Sequence, residues 1–464
     1  MLNYGAGLNR QSAFNITLNL AFFVTIAFFT FYQLSLPLWH DEIYQLWMIS
    51  KDFDSIIATT RADPNYPLQS IIYKLFYDWN ISKNFENLVF IHFFSLFIIF
   101  FSFFLLKKAL SYKKILMFAF ILFSSEYFLR FFFELRSYGF VFSWSVLFSS
   151  SYFLSTKFKD DDLYFYLLFL SGIALSAFHA IAGLFVVSVM LKFLIENNSA
   201  LKRSIALILI ITSTLFVIIF SSESVLENNN FHINSYFNHI RNTGAFMIPL
   251  LVAGIFILIG ITKETFKKIL FDISPIIFSI VVIFTYSIIT SPFYQGRYFV
   301  SFFPFLSLFL VHHLDIKHFL NLKIASILFI VFLYGPRAVT PYTNFEGIIE
   351  SSHVAECNGV PLFVENQTGF DSKIIFQSEF HRIVYFTAEE YYSDIQRPVF
   401  SAKDTVIWWN SNHLNNDCKV VGVSIENIIS DFGTLLEGKN TIDLSKKLVD
   451  GCIENECGVI WNKE

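Results

Sequence analysis

The residues in this chain that could do chemistry fall in a few short segments. "WHDEIYQLW" places His40, Asp41 and Glu42 side by side, and "RADPNYPLQSIIYKLF" follows with Asp63 and Asn65. "ELRSYGF" carries Glu134, Arg136 and Tyr138, "SAFHAIAG" carries His179, and "QGRYFVSFFP" carries Arg297 and Tyr298. A carboxylate can take a proton from an attacking hydroxyl. Arginine grips phosphate oxygens in pairs and stabilises a departing phosphate. Such a set suits displacement of a phosphate at an anomeric carbon, with Asp41 as base, Arg136 and Arg297 on the leaving group, and inversion at the sugar. A sugar on a polyprenyl phosphate is the fitting donor, because its lipid lies in the bilayer and its phosphate at the surface.

Each residue also has a plainer role. Asp41 and Glu42 could be a helix cap and a solvated acid. Arg136 and Arg297 could snorkel to lipid headgroups. His179 could bond between helices, and Asp63 before Pro64 suits an ordinary turn. Their gathering at one predicted membrane face favours chemistry, since ionisable groups at membrane depth are costly and mark functional cavities.

The elements that must position them are membrane helices. The chain has 464 residues, 55% hydrophobic and only 15% charged, with 61 Phe. That balance points to an integral membrane protein. A net charge of −4 with no basic tail argues against nucleic acid as a partner. A span needs roughly 20 mostly apolar residues. The clearest is Phe14–Leu36, which lacks a small-residue cleavage site and reads as a retained helix. Ten more follow: Leu88–Leu106, Ile115–Leu129, Tyr138–Leu154, Leu163–Phe178, Ala180–Ile195, Ser204–Phe220, Ala245–Thr262, Ile269–Thr290, Tyr298–Val311 and Phe319–Tyr334.

With the N-terminus inside, fifteen Lys and Arg residues fall on the cytoplasmic side and eight in the external loops. The positive-inside rule therefore favours this orientation. Eleven spans then place the tail, residues 337–464, outside the cytoplasm. Its composition changes after "GPRAVTPYTNF". "VPLFVEN", "RIVYFT", "TVIWWN", "KVVGVSIEN" and "GVIWN" read as strands, with "DSKIIFQSEF" and "IDLSKKLVDG" as candidate helices. All four cysteines, Cys357, Cys418, Cys452 and Cys457, lie in this tail. An even number confined to one polar region points to disulfides in an oxidising compartment. Cys357–Cys418 with Cys452–Cys457 is the favoured pairing, among the three that four cysteines allow. The expected architecture is thus an all-α polytopic membrane protein of about eleven helices with a small extracytoplasmic α/β domain, in the plasma or inner membrane.

In order, these motifs resemble the multi-spanning glycosyltransferases that use lipid-phosphosugar donors, the superfamily of protein O-mannosyltransferases and aminoarabinose transferases. "WHDEIYQLW" resembles their Asp-Glu signature, and "DPNYPLQSIIYKLF" their His/Asn-Pro-Pro-Leu-Tyr-Tyr motif, with Tyr66 for the first Pro and Gln69 for the first Tyr. "ELRSYGFVFSW" is similar to the Glu-x-Arg-x-Tyr start of the fourth span. "AFHAIAG" and "GRYFVSFFPFL" are similar to the Thr-His-Tyr and Arg-Tyr segments. The resemblance spans residues 39–305. It implies Asp41 as catalytic base with Glu42 as companion, Asp63 and Asn65 lining the donor or metal pocket, and Arg136 and Arg297 at the lipid phosphate. A divalent metal occurs in some members, and Asp41 and Asp63 are candidate ligands. The implied partners are a polyprenyl-phosphate sugar, the bilayer, and a glycan, lipid or protein acceptor.

Other classes compete. A lipid-linked sugar transporter or flippase would carry inverted repeats and mid-membrane charges, and neither is evident. A polysaccharide polymerase or ligase would rely on large late loops rather than an early carboxylate pair. A non-catalytic assembly protein would use the tail to bind a partner.

Overall fold

A computed structural model of the chain describes residues 17–31, 52–62, 67–78, 91–220, 263–289 and 296–328, single positions 45, 49 and 330, and the backbone of seven strands within residues 362–463. The chain divides into two units, Met1–Ser35 with Met48–Ala338 and Leu36–Trp47 with Val339–Glu464.

Among the described residues the first unit is helical. Its helices are α1 (Thr17–Phe31), α2 (Phe53–Ala62), α3 (Pro67–Asp78), α4 (Ile91–Leu106), α5 (Tyr112–Phe123), α6 (Tyr138–Lys157), α7 (Asp162–Phe178), α8 (Ala180–Glu196), α9 (Ala200–Phe220), α10 (Lys263–Ile289), α11 (Phe302–His313) and α12 (Phe319–Leu328). Two stretches, Ala200–Ile218 and Glu264–Thr285, are long and apolar enough to cross a membrane, and several shorter helices are also apolar. The expected span Ala245–Thr262 lies outside the described residues.

The centre of this unit is α6, buried along nearly its whole length. It packs on α4, α7 and α11, while α8 packs on α9 and α10. A helix apolar all round belongs inside a bundle. Small residues let neighbours approach: a Cβ at Gly172 of α7 would lie 2.7 Å from Leu209 of α9. Serines bridge helices at Ser176–Ser213 and Ser188–Ser279, both 2.7 Å. In an apolar environment such bonds contribute about 0.6–2 kcal/mol each.

The expected span Ile115–Leu129 is not one helix. It breaks after Phe123, and a separate turn runs Glu126–Leu129. The cause is local. Ser124 and Ser125 turn their hydroxyls back to the carbonyls of Ile121 and Leu122, at 3.3 and 2.6 Å. Ser125 then caps the next turn by accepting from the Phe128 amide at 3.3 Å. The expected span Tyr298–Val311 likewise begins in a 3₁₀ turn, Gly296–Ser301, before α11.

The second unit contains β1 (Leu362–Val364), β2 (Lys373–Gln377), β3 (Ile383–Thr387), β4 (Val399–Phe400), β5 (Val420–Ile425), β6 (Leu444–Leu448) and β7 (Glu456–Lys463). Five form a sheet in the order β4-β1-β5-β7-β6, and β2 pairs with β3. β1 is parallel to β4 and β5, while β7 is antiparallel to β5 and β6. The two segments expected as helices, "DSKIIFQSEF" and "IDLSKKLVDG", carry β2 and β6 instead. Short apolar runs have no decisive period, and the pairing partner settles them. Cys457 pairs through its backbone with Ser424. The other three cysteines, and all four cysteine side chains, lie outside the described residues.

Candidate functional site

The segment Glu134–Tyr138 is held from two sides. α3 starts at Pro67, whose missing amide costs nothing at a helix start. Gln69 and Tyr73 lie four residues apart, on one face of that helix. Both are buried. The Gln69 amide donates to the Leu135 carbonyl, and the Tyr73 hydroxyl donates to the Arg136 carbonyl, each at 3.4 Å. The Arg136 amide meanwhile donates to the Glu134 carbonyl at 2.7 Å, closing a tight three-residue turn.

From the other side comes His92, in the first turn of α4 and fully buried. Its Nε2 lies 2.9 Å from the Tyr73 hydroxyl. The Glu134 backbone also approaches the imidazole, short of a well-aligned bond at Nδ1. Phe132 and Phe140 pack around the ring, with centroids at 6.1 and 5.2 Å. Gly139 makes room for it: a Cβ there would overlap Nδ1 of His92 and the Phe132 carbonyl.

Arg136 lays its guanidinium over the Tyr138 ring, 4.9 Å from the centroid. This cation–π contact keeps the planar head fixed. Glu134 is buried beside it. The Tyr138 ring lies 6.5 Å from that of His179. His179 ends α7 and starts α8 in extended backbone, and its Nδ1 accepts from the Ile181 amide at 3.2 Å. His179 thus caps α8, a role the sequence reading did not assign to it. Phe140 stacks on Phe178 at 5.0 Å and ties the start of α6 to the end of α7.

The turn Gly296–Ser301, which carries Arg297 and Tyr298, packs against α6, α8 and α11. The side chains of Arg297 and Tyr298 lie outside the described residues, as do Asp41, Glu42, Asp63 and Asn65. The structure thus brings together Glu134, Arg136, Tyr138 and His179. It adds Gln69, Tyr73, His92 and Gly139. His92 had one sequence signal, a lone titratable group in an apolar run, and Gln69 had stood out as a departure from a family motif. Tyr73 and Gly139 had none. Among the described residues no cluster of three or more His, Cys, Asp or Glu could hold a metal ion.

Lysines gather at the opposite ends of the same helices. The Lys157 ammonium donates to the Ala109 carbonyl at 2.9 Å, and that of Lys202 to the Lys159 carbonyl at 2.8 Å. Lys114 donates to the His312 carbonyl. His313 lies 2.9 Å from Asp272, and the Tyr152 hydroxyl 2.9 Å from Glu196. Burial pushes the His312 imidazole down to about 4, helped by His313, Lys114 and Lys157 and opposed by Asp272. Burial also lowers Lys114, against the attraction of Asp315. An open cleft of about 860 Å³ lies at this end, lined by Lys108, Lys157, Asp160, Asp161 and Tyr164 among others. Its lysines, Lys108, Lys157 and Lys159, balance Asp160, Asp161 and Asp162, with Lys108–Asp161 at 3.8 Å and Asp162–Lys202 at 2.7 Å. They offer a ligand little net charge. None of the residues that line this cleft belongs to the cluster around Arg136.

Compared with known protein families, curated proteins and solved structures, the chain gives no significant match.

Proposed function

We propose that the chain is a multi-spanning membrane glycosyltransferase. It moves a sugar from a polyprenyl-phosphate donor to a glycolipid, glycan or protein acceptor on the extracytoplasmic face. Asp41 takes the proton from the acceptor hydroxyl as its oxygen attacks the anomeric carbon. The bond from that carbon to the phosphate oxygen breaks, and the polyprenyl phosphate leaves with the charge. Arg136 and Arg297 stabilise that charge, and the anomeric centre inverts. Glu42 assists the base, while Asp63, Asn65, Glu134, Tyr138, His179 and Tyr298 line the donor pocket. A divalent metal at Asp41 and Asp63 is compatible with this scheme without being required by it.

The observation that carries the proposal is the gathering of Glu134, Arg136, Tyr138 and His179 at one end of α6 and α8, with the lysine-rich loops at the other. That sorting supports the orientation proposed from charge. In this proposal about eleven spans cross the plasma or inner membrane, and residues 337–464 form an extracytoplasmic domain built on the described sheet and stabilised by disulfides. Glycan mass analysis of a deletion strain tests it: a missing sugar names donor and acceptor together, and an unchanged glycan profile across lipid, polymer and protein fractions overturns it.

A further inference from the structure

We infer that α3 and α4 form a clamp that sets the position of Arg136, with Gln69, Tyr73 and His92 as positioning residues. The inference rests on the proposed role of Arg136 at a lipid phosphate. Two consecutive carbonyls, of Leu135 and Arg136, are each held by a donor from one face of α3. With Nε2 of His92 protonated, the ring donates to the Tyr73 oxygen and leaves the Tyr73 proton for the Arg136 carbonyl, so the His92 tautomer sets which of these two bonds Tyr73 donates. Both bonds from α3 are long at 3.4 Å, so each alone is weak, and the hold comes from their pairing on one rigid helix.

The clamp has a consequence for a bound phosphate. Arg136 is partly exposed, while its chain neighbours Phe132, Phe133 and Leu135 are buried. Its guanidinium is fixed from outside by Tyr138, and its backbone from inside by Tyr73. A long side chain so constrained loses less rotamer entropy when it grips an anion. The departure at Gln69 from the family motif then has a physical meaning. An amide at this place reaches the Leu135 carbonyl from the same helix face that presents Tyr73.

Two measurements on the full-length protein in lipid nanodiscs test the clamp. The first is hydrogen exchange without ligand. Tyr73→Phe and Gln69→Met should speed exchange of amides 134–138 by about 3- to 10-fold, more than they speed exchange in the remote helix α9. The second is affinity for a polyprenyl monophosphate, with inorganic phosphate as control. Tyr73→Phe should weaken binding of the lipid phosphate by about 3- to 10-fold, and that loss should vanish in an Arg136→Ala background. Unchanged exchange in residues 134–138, or an affinity loss that persists fully without the Arg136 side chain, overturns the clamp. A wild-type protein that binds no polyprenyl phosphate overturns the proposed donor instead, and the exchange measurement still decides the clamp.

Discussion

The ammonium of Lys192 on α8 donates to the carbonyl of Phe271 on α10 at 2.5 Å. That carbonyl is the one Pro275, four residues on, cannot bond, because proline has no amide hydrogen. Lys192 is itself buried and lies within 4.0 Å of Glu196 and Asp272. The Ser274 hydroxyl also donates to this carbonyl, at 2.8 Å, so a helix defect on one element is met jointly by its own serine and by a buried cation from another. Lys192→Met should lower stability by about 1–3 kcal/mol, the usual cost of stranding buried polar groups. Pro275→Ala in that background should recover part of the loss, since the substituted alanine supplies the missing amide. Thermal melts of the two variants in one detergent check this, and no recovery would mean that the carboxylates, not the carbonyl, dominate.

Gly139 is required by space rather than by flexibility. Gly139→Ala should destabilise the protein by about 2–3 kcal/mol, because the new methyl overlaps the Phe132 carbonyl as well as the His92 ring. Adding His92→Ala should not restore stability, since the backbone contact remains. Folded yield and melting temperature of single and double variants measure this.

Stability should depend on pH through His312. Its folded-state value is about 4 against an ordinary 6.5. The unfolded chain therefore takes up the proton first. The contribution is complete above pH 6.5 and is lost as pH falls toward 4. Melting temperature should drop between about pH 7 and 5, and His312→Gln should flatten that slope. An identical slope in the variant would assign the effect to other groups.

For the proposed transfer, Asp41→Asn should cut the rate by about 100- to 10,000-fold at normal expression. Arg136→Ala and Arg297→Ala should weaken donor use while leaving the fold intact. A radiolabelled or mass-tagged donor assay reads both, and full transfer by the Asp41 variant would remove Asp41 from its role as base.

Orientation is checked separately. A reporter fused after residue 340 should be active only in an extracytoplasmic form. Activity of a cytoplasmic reporter at that point would overturn the span count and the case for disulfides together.

Much of the helical layout was legible in the sequence. The starts of α6, α8 and α12 fall at Tyr138, Ala180 and Phe319, where the apolar runs begin. Asp161 ahead of α7 and Ser111 ahead of α5 are caps that a reader of the chain can see. These features are local, and local composition carries them. The break at Ser124–Ser125 was hidden, because two serines in an apolar run read equally well as helix interior. β2 and β6 were hidden because short apolar runs carry no decisive period, and only pairing with the strand that follows each shows them as strands.

The sequence by itself determined the helical class of the first unit, through apolar runs of helical length, and singled out Glu134, Arg136, Tyr138 and His179 as residues of interest. Only the tertiary structure decided what holds them. The bond from Tyr73 to the Arg136 carbonyl joins residues 63 positions apart, and that from Gln69 to Leu135 joins residues 66 apart. Neither is encoded in any local pattern. His92 and Gly139 make sense only together, as a ring and the space left for it. Packing couples residues by distance in space, while a sequence records only distance along the chain.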